Sequence, residues 1–162
     1  MDTKEYKQLN QLISIAGDLV DVVSFVDKDF LEKYGNGRGM FGLDEEQNKM
    51  GIYIDKSLNP KDKVITLAHE VGHAKDYLKN DKGNVKLFRL RKSFAGGVVK
   101  MERLAWIYSV QFLKQVGFTD WEYFVKTVKF SLSSHNNNVC NFEKEEIFWE
   151  RLKKELIGSV TN

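Results

Sequence analysis

The feature that most constrains this chain is the stretch Lys63-Val64-Ile65-Thr66-Leu67-Ala68-His69-Glu70-Val71-Gly72-His73-Ala74. It follows Asn59-Pro60, where Asn can cap a helix and Pro can take its first position, so a helix is predicted over 60–79. Side chains four apart stack on one helical face, so His69 and His73 point the same way. Glu70 lies about 100° round the helix from His69. Val64, Ile65, Leu67, Ala68 and Val71 surround the three polar groups. A buried helix that carries such groups must satisfy them internally. Two imidazoles at this spacing can do so by sharing a metal ion; the competing reading is two ordinary core or surface histidines. Zinc is the expected ion, with Glu70 placed to hold a water on it and to accept that water's proton during attack on a carbonyl. The chain has three histidines, and two of them fall at the required spacing.

A catalytic zinc site takes three protein ligands and keeps a fourth position open. Glu102 is the expected third ligand, 102 − 73 = 29 residues beyond the second histidine, on a long helix predicted over 98–116. Ala105 and Trp106 share its face. Ala105 on one helix and Gly72 on the other would let the two approach closely, and Trp106 would floor the pocket. The competing reading of Glu102 is a solvated helix carboxylate. His135 could be a third ligand, an oxyanion stabiliser or an exposed loop histidine. Asp76 lies one turn beyond His73, either as an acceptor that orients a ligand or as a surface carboxylate. Oxyanion candidates are Tyr108, Tyr77, Tyr123 and His135, and the sequence does not choose among them.

The rest of the chain predicts an α+β fold in one domain. Residues 1–58 read as an N-terminal helix and a small, mostly antiparallel sheet, 59–117 as the metal-binding helices and 118–162 as C-terminal helices. Thr3 can cap a first helix with Tyr6, Leu9, Leu12 and Ile13 on one face. The run 19–26 reads as a strand, 29–33 as a helical turn, and 39–43 with 50–55 as a hairpin. The second hairpin strand directly precedes the motif helix. A peptide adding to its edge would make Gly51, Ile52 and Tyr53 substrate-binding residues; the competing reading is ordinary core sheet, with Gly51 a bulge. Thr119-x-x-Glu122 reads as a capping box, and Asn141 as the cap of a last helix.

With 25 basic and 23 acidic side chains, net charge +2 gives no electrostatic reason to expect nucleic acid as partner. No apolar run is long enough to span a bilayer. The single cysteine, Cys140, permits no intramolecular disulfide and reads as a half-buried structural residue. The first residues lack a secretory pattern, so a cytoplasmic protein is expected.

An aliphatic helix reading Leu-Ala-His-Glu-Val-Gly-His-Ala after a strand, followed by Glu-x-x-Ala on a later helix, resembles the gluzincin-type zincin metallopeptidases. The resemblance is greatest to the ImmA/IrrE-type peptidases. It covers roughly 19–117 and is strongest at 64–77 and 102–106. It implies Zn2+ held by His69, His73 and Glu102, with Glu70 as general base, in a cytosolic protease that cuts a regulatory protein such as a repressor. The chain departs from that pattern at Trp106-Ile107-Tyr108, where small residues are more usual, and the region after Gly117 has no counterpart in it. Two other readings stand beside the peptidase: a zincin-fold module that binds a protein partner without cleaving it, and a metal-dependent hydrolase of another substrate.

Overall fold

Thr3 opens the first helix, α1 (Lys4–Gly17), its hydroxyl accepting from the Tyr6 backbone N–H at 3.3 Å. The computed structural model describes residues 3–135 and 142–158. Leu9, Leu12 and Ala16 form the buried stripe of α1, whereas Tyr6, expected on that face, is largely exposed. Then come β1 (Val22–Val26), the short α2 (Lys28–Glu32), β2 (Gly39–Asp44) and β3 (Lys49–Asp55). Helices follow: α3 (Pro60–Asn80), α4 (Val85–Ser93), α5 (Gly97–Gln115), α6 (Trp121–His135) and α7 (Phe142–Gly158). The architecture is α+β, as the sequence predicts. Cys140 and Asn141 lie outside the described residues.

The sheet is mixed. β2 and β3 form the expected antiparallel hairpin, and β1 joins the far side of β3 in parallel, giving the order β1-β3-β2. β3 is therefore the central strand and both its edges are paired. This corrects the expectation that Gly51, Ile52 and Tyr53 present an open edge to a peptide. Gly51 is paired on both sides, to Val22 and Gly42. A side chain there would strike the Tyr53 ring, whose hydroxyl oxygen would lie 2.8 Å from the added Cβ. Ile52 is fully buried, and Tyr53 packs on Phe30 with ring centroids 5.3 Å apart. Among the described residues the free edges are those of β1 and β2, and the β2 edge is the one beside Glu70. The Asp55 N–H donates to the Arg38 carbonyl at 2.8 Å, which fixes the alternation and turns the backbone groups of Gly39 and Phe41 outward.

α3 begins as predicted, with the Asn59 side chain accepting from the Asp62 N–H at 2.8 Å and Pro60 in its first turn. Its apolar residues leave almost no exposed face: Val64, Ile65, Leu67, Ala68, Val71 and Ala74 are all completely buried. It runs between the sheet and α1 on one side and α5 on the other. The contact with α5 is made by small residues. A Cβ at Gly72 would sit 2.3 Å from the Ala105 carbonyl oxygen, so only glycine admits this approach. α5 closes at Gly117, in the left-handed region at φ +76°. The capping box expected at Thr119 is replaced by its neighbour: Asp120 accepts from the Tyr123 N–H, and the Thr119 hydroxyl accepts from Lys4. Phe124, Val128 and Leu132 of α6 and Phe148 and Leu152 of α7 complete the core.

Gly72→Ala is expected to lose roughly 3 kcal/mol of stability in urea denaturation, because the α5 backbone cannot yield to the added methyl. Gly17→Ala, whose added Cβ meets nothing within 4 Å, is the control and is expected to stay within about 0.5 kcal/mol of the parent.

Candidate metal centre

α3 supplies His69 and His73 and α5 supplies Glu102, which lies three residues before the Ala105 contact. The two imidazoles close on the carboxylate from either side. Nε2 of His69 is 2.9 Å from one oxygen of Glu102, and Nε2 of His73 is 2.9 Å from the other. The candidate ligand atoms of these three residues lie within 4.8 Å of one another, a group that can hold a metal ion. Two imidazole nitrogens and a carboxylate oxygen form the mixed donor set that zinc accepts in catalytic sites. The donors therefore fit the ion expected from the sequence. Trp106 floors the site as expected, stacked on His69 at 3.9 Å between centroids and 25° between planes.

Glu70 is 5% exposed and faces the free edge of β2. Gly39 makes this possible, since a Cβ there would lie 2.7 Å from the Thr66 methyl and 3.2 Å from a Glu70 oxygen. The Phe41 backbone N–H stabilises the carboxylate charge. Burial dominates nonetheless and, with the charge of Glu102, holds Glu70 above the usual carboxylate range against the pull of His69 and His73. Burial also opposes ionisation of Glu102, but His73 and His69 overcome it and hold this carboxyl far below its ordinary value. For His73 burial disfavours the imidazolium. The charge and hydrogen bond of Glu102, joined by Glu70 and Asp76, reverse that effect and lift it to about 9. Two buried polar atoms, Nδ1 of His69 and Nε1 of Trp106, have no hydrogen-bond partner among the described residues. Each such group costs about 1–3 kcal/mol, and both sit where the two rings stack.

The site floors a cleft of about 620 Å³. One wall is the segment from Tyr34 to Phe41. The opposite wall is Phe88 and Lys92 of α4 with Val98 and Met101 of α5, and Thr127, Phe130, Ser131 and Ser134 of α6 close one side.

Several sequence expectations are corrected. Asp76 makes no hydrogen bond to either histidine and is not a surface group. It is 1% exposed, and Arg91 takes both its oxygens at 3.0 and 2.8 Å while also binding Asp81. This cluster ties α4 to the end of α3. Tyr108 is buried under Lys75 and Lys79 and does not line the cleft. Tyr77 packs between Phe41 and Phe88, and the Tyr123 hydroxyl donates to Asp62 at 2.7 Å, so neither lines the cleft. His135 ends α6, and its side chain is outside the described structure. Sequence reasoning missed Gly39, Phe41, Arg38 and Arg91. The cluster Gly35-Asn36-Gly37-Arg38-Gly39 was the available signal that the backbone there approaches another element.

A metal at Nε2 of His73 must displace the proton held there below about pH 9. Apparent zinc affinity is therefore expected to fall as pH drops from about 9 towards 7, by about tenfold per unit for this one proton. Competition with a chromophoric chelator, corrected for the chelator's own protonation, measures it. An affinity that does not weaken on acidification would contradict the assignment. No helix among the described residues is long and apolar enough to cross a membrane. Comparison with protein-family models, curated proteins and solved structures gives no match.

Proposed function

We propose that this protein is a zinc-dependent peptidase of the HExxH type, with His69, His73 and Glu102 as metal ligands and Glu70 as general base. The observation that carries the reading is a buried carboxylate, Glu70, beside three convergent ligand side chains on the floor of an open cleft. Zinc, when bound, supplies Lewis acidity that polarises a carbonyl and lets water act as a nucleophile near neutral pH. Glu70 accepts the proton of the attacking water at its carboxylate, and its burial makes it a stronger base than a surface glutamate. The same carboxyl then returns the proton to the leaving amine nitrogen. The outward backbone groups of Gly39 and the Phe41 carbonyl offer an extended peptide a strand to pair with, in place of the β3 edge expected from sequence, while the Phe41 N–H is held by Glu70. Trp106 keeps the face of His69 dry and fixes its ring.

The positions of Glu70 and Glu102 accord with the resemblance to the ImmA/IrrE-type peptidases, and we carry over their substrate class, a regulatory protein cut at a specific site in the cytoplasm. A module that only binds a partner has no use for a desolvated carboxylate at position 70, since burying it costs stability.

The test is digestion of a proteome-derived peptide library, read by mass spectrometry, with zinc-loaded wild type and Glu70→Gln. The wild type is expected to cleave, and Glu70→Gln to lose about 10²–10⁴-fold in rate with its zinc content unchanged. Glu102→Ala is expected to lose the zinc. Cleavage that survives Glu70→Gln would refute the role of Glu70, and no cleavage by the wild type would refute the peptidase reading.

A further inference from the structure

We propose that the cleft selects an extended polypeptide segment that carries both large apolar and acidic side chains. This rests on the peptidase reading and names its substrate class. Among the described residues, the Lys and Arg that line the cleft are Arg38 and Lys92, and the lining carboxylates are Glu70 and Glu102, the base and a ligand on the floor.

The two cations mark opposite ends. Arg38 lies at the start of α3, with Nη1 3.6 Å from Asp62 and its guanidinium 6.0 Å from the centre of the Phe130 ring. Asp62 is already engaged by the Tyr123 hydroxyl and the Asn59 side chain, at 2.7 and 3.0 Å. The Arg38 side chain is 46% exposed and lines the cleft. Lys92 lies towards the other end of α3, where Phe88 of α4 meets Tyr77. The α3 lining of the cleft runs from Thr66 to His73, seven residues or roughly 10 Å, which takes about three residues of an extended chain at about 3.3 Å each, with the two cations beyond its ends.

The wall that carries Lys92 is itself basic. Residues 82–103 hold seven Lys and Arg against one acidic residue, Glu102, a balance of 7 − 1 = +6 in a chain whose net charge is +2. Arg91 is neutralised by Asp76 and Asp81 and Arg89 by Glu45. Lys92 stays exposed where it lines the cleft, and Lys82, Lys86 and Lys100 are exposed elsewhere on the same segment, where they add to its positive field.

The apolar component is concentrated at the same mouth. Tyr34, Val98 and Phe130 line the cleft and are 61%, 40% and 70% exposed. Phe94, between α4 and α5, is 64% exposed. Exposed apolar side chains gathered at one opening mark a binding surface. A basic, aromatic-edged groove also suits single-stranded nucleic acid. The free β2 edge beside Glu70 favours polypeptide, because a peptide backbone matches the repeat of its outward groups along the strand.

The probes are two fluorescein-labelled decapeptides with the same centre, Ala-Leu-Phe-Ala, flanked on each side by three glutamates or by three lysines. Their binding to the zinc-loaded Glu70→Gln protein is read by anisotropy. The acidic peptide is expected to bind about tenfold tighter at low salt, with the gap closing as salt rises. Arg38→Gln with Lys92→Gln, both exposed positions, is expected to bring the two peptides within about threefold of each other. Equal affinities, tighter binding of the lysine peptide, or tighter binding of a ten-nucleotide oligothymidylate would overturn the proposal. Cleavage by the wild type keeps the two readings apart. An acidic peptide that is preferred in binding while nothing is cut sinks the peptidase and leaves the selectivity standing. Cleavage at equal kcat/KM for both peptides does the reverse.

Discussion

Gly72 and Ala105 bring the backbones of α3 and α5 together, and the separation they permit decides where Glu102 ends. Ala105 presents its carbonyl oxygen where a side chain at 72 would have to go. His69 and His73 flank Gly72 on α3, and Glu102 precedes Ala105 by less than one turn on α5. The point of closest approach is thus shared with the three candidate ligands. A wider spacing would draw the carboxylate away from both imidazoles. Trp106, next to Ala105, uses the same proximity to stack on His69. Packing of small residues and placement of the polar trio are one constraint seen from two sides.

That constraint places ionisable groups where water does little for them. Glu102 and His73 stabilise each other's charge, while Glu70, facing β2, is held towards its neutral form by burial. Neighbouring carboxyls with opposite shifts are what a ligand and a general base require. A second ionic cluster, Arg91 with Asp76 and Asp81, secures α4, which has no fully buried residue of its own. The cleft wall thus hangs on charge and on the Phe88–Tyr77 contact more than on apolar burial.

Much of the site was legible locally. Asn59-Pro60 announced where α3 begins, and the i, i+4 histidines announced its polar face. The small residues Gly72 and Ala105 announced a close helix pair, from which Glu102 followed. What failed required knowledge of distant partners. No local pattern says that β1 pairs in parallel with β3, so the open edge was placed on Gly51–Tyr53 when the outer strands are β1 and β2. Asp76 has the spacing of a group that orients a ligand, and its capture by Arg91, fifteen residues on, depends on how α4 folds back. Tyr108 and Tyr123 stand on helices whose rotation about their axes is set by packing, which turns both away from the cleft. At the start of α6 the error was one residue: Asp120 caps, and Thr119 is drawn to Lys4 of α1.

The central claim is that His69, His73 and Glu102 bind one metal ion together, and X-ray absorption at the zinc edge of the purified, zinc-loaded protein tests it most directly. The account predicts one ion per chain with two imidazole nitrogens at about 2.0–2.1 Å and carboxylate or water oxygens at about 2.0–2.2 Å. An ion without imidazole ligands, a sulfur ligand, or a protein that retains no zinc would contradict it.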